Sequence, residues 1–181
     1  MPADWPVRAY LLFGLLAHKV VWEVLKKGQP QGSRKPLVTF LKVSFLVAIA
    51  LQTLLPPILP MGANLLWPGI AIYTAGLATA ISARLTLGDN WSDIERGLIR
   101  SGHRLVESGV YRWIRHPIYA GDLALILGLE LALDSWGWLV IVPLTVAVAR
   151  QAAGEEAKLA AALDGYREYC ARSWRFLPFV Y

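Results

Sequence analysis

The stretch "IYAGDLALILGLELALDSWGWLVIVPLTVAVARQ", residues 118–151, decides how this chain is built. Two apolar runs, 118–133 and 138–151, flank the short polar link Asp134-Ser135-Trp136-Gly137. A membrane-crossing helix needs about 20 apolar residues, so both runs are short. A tight turn between them predicts a helical hairpin, and Pro143 predicts a kink in its second arm.

Three further apolar runs precede the hairpin. They are 7–25, 36–55 and 65–85, and "PPILPMGAN" (56–64) breaks the chain before the third. Pro36 suits a first helical turn. The reading is an all-α integral membrane protein with five transmembrane helices. It forms one domain over 1–181, in which 1–60 holds two N-terminal spans and 65–181 the functional core. His18, Lys19 and Glu23, and the lack of a small-residue cleavage site, argue against a signal peptide at 7–25. Lys19 and Glu23, four apart, can pair on one face. They and His18 read as a helix end reaching the interface.

Composition agrees. The chain is 56% hydrophobic and 17% charged, with a mean hydropathy of +0.44. One cysteine, Cys170, excludes an internal disulfide and a cysteine-held metal. Three histidines are too scattered to propose a metal site, so none is expected. The net charge of +5 follows the loops. Lys26, Lys27, Arg34 and Lys35 fill the first loop. Arg96, Arg100, Arg104, Arg112 and Arg115 fill the third, and Lys158, Arg167, Arg172 and Arg175 the tail. The loops between have no cation. This alternation puts the N-terminus outside and the C-terminus in the cytoplasm, and it explains the charge without nucleic acid. The membrane would be the plasma or inner membrane in a prokaryote and the endoplasmic reticulum in a eukaryote. On the third run Gly69, Gly76, Ala80 and Ala83 form a small-residue face for close helix packing.

Two polar segments border the hairpin, 84–117 and 150–181. If the hairpin folds back, "RHPIY" (115–119) meets "GEE" (154–156). One place would then hold Arg112, Arg115, His116, Tyr111, Tyr119, Glu155 and Glu156. Cations and adjacent carboxylates suit a zwitterionic amino-acid tail, and aromatic and apolar contacts suit a purine. Gly109 and Gly121 would let backbone approach a ligand. Pro117 would stop a helix from running back through the loop. Arg100 and Arg104 read as interfacial cations.

"HRLVESGVYRWIRHPIYAG", 103–121, resembles the signature of the isoprenylcysteine carboxyl methyltransferases and the related phospholipid methyltransferases. The order continues with Glu155-Glu156, Tyr166, Tyr169 and Pro178, and "LGDNWS" (87–92) matches as well. The resemblance covers about 84–181. It implies an S-adenosylmethionine-dependent membrane methyltransferase whose cofactor site is built from the cytoplasmic loop and a C-terminal helix. It implies cofactor contacts from His103, Leu105, Val106, Gly109, Tyr111, Arg115, His116, Pro117, Tyr119, Gly121, Glu155 and Glu156. Leu105, Val106, His116, Pro117 and Tyr119 would line the adenosine, and Glu155 or Glu156 would take the methionine ammonium. Arg115, His116 and Glu156 are the candidate catalytic residues. Asn90 and Trp91 would border a lipophilic acceptor drawn from the bilayer. That acceptor is a prenylcysteine-type carboxylate, a phospholipid amine or another small apolar group. A carboxylate acceptor needs no base, whereas an amine or thiol does.

Two features depart from the family pattern. Arg150 stands five residues before Glu155, with Gly154 loosening the helix turn between. Asp122 after Gly121, with Tyr169-Cys170 and the tail "LPFVY", resembles the sterol reductases. An NADPH-dependent membrane reductase is therefore the alternative, and a membrane subunit without turnover a third class.

Overall fold

A computed structural model of the chain describes residues 5–26, 36–55, 57, 60–90 and 104–179. Among these residues six α-helices run in order: α1 (Trp5–Lys26), α2 (Pro36–Leu54), α3 (Leu66–Leu87), α4 (Pro117–Ala132), α5 (Ile141–Ala162) and α6 (Tyr166–Arg172). The five apolar runs thus correspond to α1–α5. Two stretches, Leu66–Leu87 and Trp136–Ala162, are long and apolar enough to cross a membrane.

The centre of the fold is the antiparallel pair α3 and α4, and its cause is the small-residue face. A methyl placed on Gly69 would collide with the backbone of Ala132 and Gly128, and one on Gly76 with the backbone of Leu125 and Gly121. From the other side, a methyl on Gly121 would lie 2.6 Å from the Ala80 backbone nitrogen, and one on Gly128 would strike the Tyr73 backbone. With lipid outside as apolar as the side chains, such helices are held by close van der Waals contact between backbones.

Leu11 of α1, Ile49 of α2, Tyr73 of α3 and Leu125, Leu129, Ala132 and Leu133 around α4 form the buried apolar cluster. Tyr73 is fully buried, and its hydroxyl finds a partner by donating to the Leu11 carbonyl at 2.6 Å. Arg8 of α1 donates to the Thr53 and Leu55 carbonyls at the end of α2. Gln52 of α2 donates to buried Glu130 of α4 at 2.6 Å. Lys19 and Glu23 form the expected pair at 2.6 Å.

The hairpin differs from its expected form in two respects. Its link continues as a 3-10 turn, Trp136–Val140, before α5 begins. Pro143 is then the third residue of α5, near a helix start, where proline is best tolerated. The second arm also does not stop near 151. It runs unbroken through Gly154 to Ala162, because Gly154 faces open space and costs the helix only its entropy, about 1 kcal/mol. This extension carries Glu155 and Glu156 on a rigid helix.

Candidate functional site

Helix α4 starts where the sequence predicts. His116 is its N-cap and the buried Pro117 its first residue. Before it, the chain from 109 to 112 forms a 3-10 turn. Gly109 opens that turn at φ 58, a left-handed conformation natural to glycine. A Cβ there would lie 3.0 Å from the Thr86 hydroxyl. The close approaches made by Gly109 and Gly121 on their Cβ sides are to α3, at Thr86 and Ala80.

The signature loop is pinned by the C-terminal tail. Arg115 N–H donates to the Trp174 carbonyl at 2.8 Å, His116 N–H to Arg175 at 3.0 Å, and Trp174 N–H to Trp113 at 2.9 Å. The two segments pair as a short parallel bridge at Ile114 and Trp174. The Tyr169 hydroxyl of α6 donates to the Tyr111 carbonyl at 2.6 Å. Burial pushes the phenols of both Tyr111 and Tyr169 well above their ordinary range, so both stay protonated donors.

Glu156 is the hub. Its Oε1 accepts from Arg115 Nε at 2.8 Å, and the His116 ring nitrogen Nε2 lies 3.2 Å away. Arg175 grips both carboxylate oxygens, the closest contact being 2.6 Å from Nη2 to Oε2. Arg115 Nη1 also donates to the Cys170 and Ser173 carbonyls. Glu156 lies past the apolar run that ends at Gln151. Burial alone would push its carboxyl up. Hydrogen bonds from His116, Arg175 and Arg115 outweigh that and hold it well below the usual carboxylate range.

Glu155 has a different environment. Its Oε1 accepts from the Tyr119 hydroxyl at 2.6 Å and from Gln151 Nε2 at 3.1 Å, and Gln151 also donates to the Tyr119 oxygen. Its Oε2 stands 3.9 Å from His116 Nδ1. The His116 ring is stacked on Tyr119 at 5.7 Å and tilted against Phe176 at 5.8 Å.

Beside this polar cluster lies an open cavity of about 610 Å³ lined by Thr86, Leu87, Asn90 and residues 104–108. Leu105 connects the two. It lines the cavity and packs on Leu159, Tyr166 and Tyr169, and Leu159 is one helical turn beyond Glu155. Glu107 holds Arg172 of α6 at 2.6 Å.

The structure thus brings together Tyr111, Arg115, His116, Pro117, Tyr119, Glu155 and Glu156, and sets Leu105 and Val106 in the adjoining cavity. Asn90 lines the cavity. Its amide clasps the Arg104 backbone, donating to the carbonyl at 2.5 Å and accepting from the N–H at 2.9 Å, which shapes the cavity wall. Asn90→Ala is expected to loosen that wall, weakening ligand binding by about tenfold, the worth of one lost hydrogen bond, with little change in melting temperature. Trp91 and His103 lie outside the described residues. Sequence reasoning did not assign Gln151, Ser173, Arg175 or Phe176 to the site. It read Arg104 as interfacial, whereas this residue lines the cavity. Among the described residues no cluster of His, Cys, Asp and Glu could hold a metal ion.

The profile of the phospholipid methyltransferase family matches residues 65–162. A protein-S-isoprenylcysteine O-methyltransferase of Xenopus laevis is 34% identical over 83 residues, covering 46% of this chain and 29% of that protein. The Mus musculus protein of the same name is 30% identical over 94 residues, covering 46% and 33%. The match therefore spans about a third of the length of these curated relatives. In fold, the chain is similar to the eukaryotic intramembrane Ras methyltransferase, isoprenylcysteine carboxyl methyltransferase. The TM-score is 0.66 at 22% identity, over 93% of this chain and 63% of that one. With α3, the signature loop, the hairpin and both glutamates inside the matched residues, this chain belongs to the phospholipid methyltransferase family.

Proposed function

We propose that the chain is an integral membrane methyltransferase that uses S-adenosylmethionine to methylate a lipophilic acceptor where the bilayer meets the cytoplasm. The observation that carries this reading is the meeting of a cavity of mixed polar and apolar lining with the Glu155 carboxylate, whose hydrogen bonds come from Tyr119 and Gln151. Leu105 and Val106 line the cavity, Glu155 stands one turn from the Leu105 contact, and the loop joining them is locked by the tail.

The residues fit the cofactor. The cavity volume lies within the roughly 300–1,000 Å³ of ordinary ligand sites. Leu105 and Val106 would hold the adenine by apolar contact. Glu156 is filled by Arg115, Arg175 and the His116 ring, so Glu155 is the carboxylate for the methionine ammonium, and Arg104 on the cavity wall is the cation for its carboxylate. When bound, the cofactor supplies an electrophilic methyl group on a sulfonium. The protein's task is then to align the acceptor and exclude water, which can remove several kcal/mol of the barrier. The apolar runs within α1–α5 are read as spans, with the N-terminus outside and the site on the cytoplasmic side, in line with the cation distribution. The reductase alternative draws no support from the site. Tyr169 and the Cys170 carbonyl hold Tyr111 and Arg115 in place, and among the described residues no glycine-rich phosphate cradle accompanies them.

Calorimetry on detergent-purified protein tests this. S-adenosylhomocysteine is expected to bind and NADPH not to bind. Glu155→Ala is expected to weaken S-adenosylhomocysteine by about 10- to 100-fold, the range for a hydrogen bond to a charged group. Binding of NADPH alone, or of neither ligand by folded protein, overturns the reading.

A further inference from the structure

One buried cation stands outside the glutamate hub. Arg84, in the last turn of α3, is 1% exposed. It lies where two helices end. Its Nη2 donates to the Leu25 carbonyl in the last turn of α1 at 2.8 Å, and its Nη1 to the Gly88 carbonyl just past α3 at 2.9 Å. Carbonyls at a helix end have no intrahelical donor and carry the negative pole of the helix, so a guanidinium suits both. The Trp22 ring of α1 lies 5.6 Å from the same guanidinium, a cation–π contact. Trp22 is held in turn by stacking of the His18 ring at 5.2 Å, and His18 Nε2 lies 3.0 Å from Asp122 Oδ1 of α4. The end of α1 is thus fastened to both helices of the seam.

The other end of this linkage is the cavity. Gly88 is the C-cap of α3, at φ 52, and its N–H donates to the Arg84 carbonyl. Backbone and side chain of Arg84 therefore both hold Gly88. The chain continues as a 3-10 turn, Gly88–Asn90. Thr86, Leu87 and Asn90, on either side of Gly88, line the cavity. Asn90 clasps the backbone of Arg104, which lines it too. The Arg84 charge also reaches the Tyr111 phenol of the signature loop, where it works against the upward push of burial and of Tyr169.

We propose that Arg84 is a positioning residue through which the end of α1 sets the cavity wall, so that docking of α1 and binding of a nucleoside-type ligand in the cavity favour each other. This rests on the methyltransferase reading above, which supplies the ligand. It gives a part in binding to a helix that lies before the family-matched residues 65–162. Coupling between two places in a protein is reciprocal. A docked α1 holds the wall in its binding form, and a filled cavity holds the end of α1. Lysine is no substitute here, because its ammonium is a point charge without the planar fork that reaches two carbonyls at once.

Hydrogen exchange read by mass spectrometry, with and without saturating S-adenosylhomocysteine, tests the coupling in the unaltered chain. The ligand is expected to slow exchange over residues 20–26 of α1 by about 5- to 150-fold, the usual range of such coupling. Residues 66–72, at the far end of α3, should be unchanged. An arginine that only supported the fold would leave 20–26 the same with and without ligand. Calorimetry then follows Arg84→Lys and Trp22→Leu. Each is expected to bind S-adenosylhomocysteine about 5- to 150-fold more weakly, with the ligand's effect on 20–26 lost even at saturation. Trp22→Leu carries this arm if Arg84→Lys does not fold, because Trp22 lies off the α3–α4 seam. Equal slowing of both segments, or slowing of neither, overturns the proposal. So does a folded variant that binds within about twofold of the wild type, below the range of such coupling. Wild-type protein that fails to bind S-adenosylhomocysteine removes the methyltransferase reading, and this inference with it.

Discussion

Gly128→Leu is expected to prevent the chain from holding its native fold. The Cβ alone would meet the backbone nitrogen and Cα of Tyr73 and the Gly69 carbonyl. These atoms belong to a helix backbone and cannot swing aside as a side chain end can. The two helices must separate, and every other close approach along the seam separates with them. Overpacking a core usually costs 1–3 kcal/mol, occasionally more. Here about 3 kcal/mol is the lower bound, against a total stability of only about 5–15 kcal/mol. Thermal unfolding in detergent would show a fall in midpoint too large for a local change, or no folded protein at all. Gly154→Ala is the control. A Cβ there meets nothing within 4 Å, so the exchange should be neutral or stabilising by up to about 1 kcal/mol. Equal behaviour of the two variants would remove the small-residue seam as the organiser of this fold.

Glu156→Ala is expected to release the tail. The Glu156 side chain is 13% exposed and the Arg115 side chain 11%, so the substitution leaves two guanidinium groups partly buried without their shared anion. Breaking a buried pair from one side costs about 3–5 kcal/mol. That loss falls on the junction of 113–116 with 174–175. Amide exchange at Arg115, His116 and Trp174, whose N–H groups make the junction, should quicken by about two orders of magnitude or more, the equivalent of about 3 kcal/mol. Glu155→Ala separates the two carboxylates. Its partners are the neutral Tyr119 and Gln151, so the tail should remain docked while ligand binding falls. If both variants loosened the tail equally, the division of labour between Glu155 and Glu156 would be wrong.

Much of this was legible in the sequence because periodicity and breakers mark it. Pro36 and Pro117 begin helices where they were expected to. The stripe Gly69, Gly76 and Ala80 faces its partner helix, and 115–119 meets 155–156. What escaped notice depends on pairings that no local pattern carries. Arg175 looks like any tail cation until the bridge at Trp174 turns it toward Glu156. His18 and Asp122 are 104 residues apart; His18 reads alone as part of a helix end at the interface, and Asp122 as a feature shared with the sterol reductases. Gln151 marks the end of an apolar run in the sequence, yet in space it stands one turn before Glu155 and shares its hydrogen bonds. The length of α5 was missed for a related reason. Hydropathy drops at Arg150, but backbone hydrogen bonding in a helix does not depend on hydropathy, and Gly154 was too weak a breaker to end it.

The docking of residues 173–176 onto 113–116 has a consequence for the order in which the molecule is made. During synthesis the apolar runs can enter the bilayer one after another, and the α3–α4 seam can close as soon as both helices are present. Glu156 and Arg115 can meet only once Glu156 has been made, and Arg175 follows later still. The hub thus acquires its second guanidinium about 60 residues after Arg115, which at roughly 5–20 residues per second is a delay of seconds. A nascent chain in that interval has an inserted body and an unfinished polar knot at its surface. Completion of the knot waits for residues 173–176, and a chain clipped before Ser173 would lack both the bridge at Trp174 and the Arg175 grip on Glu156.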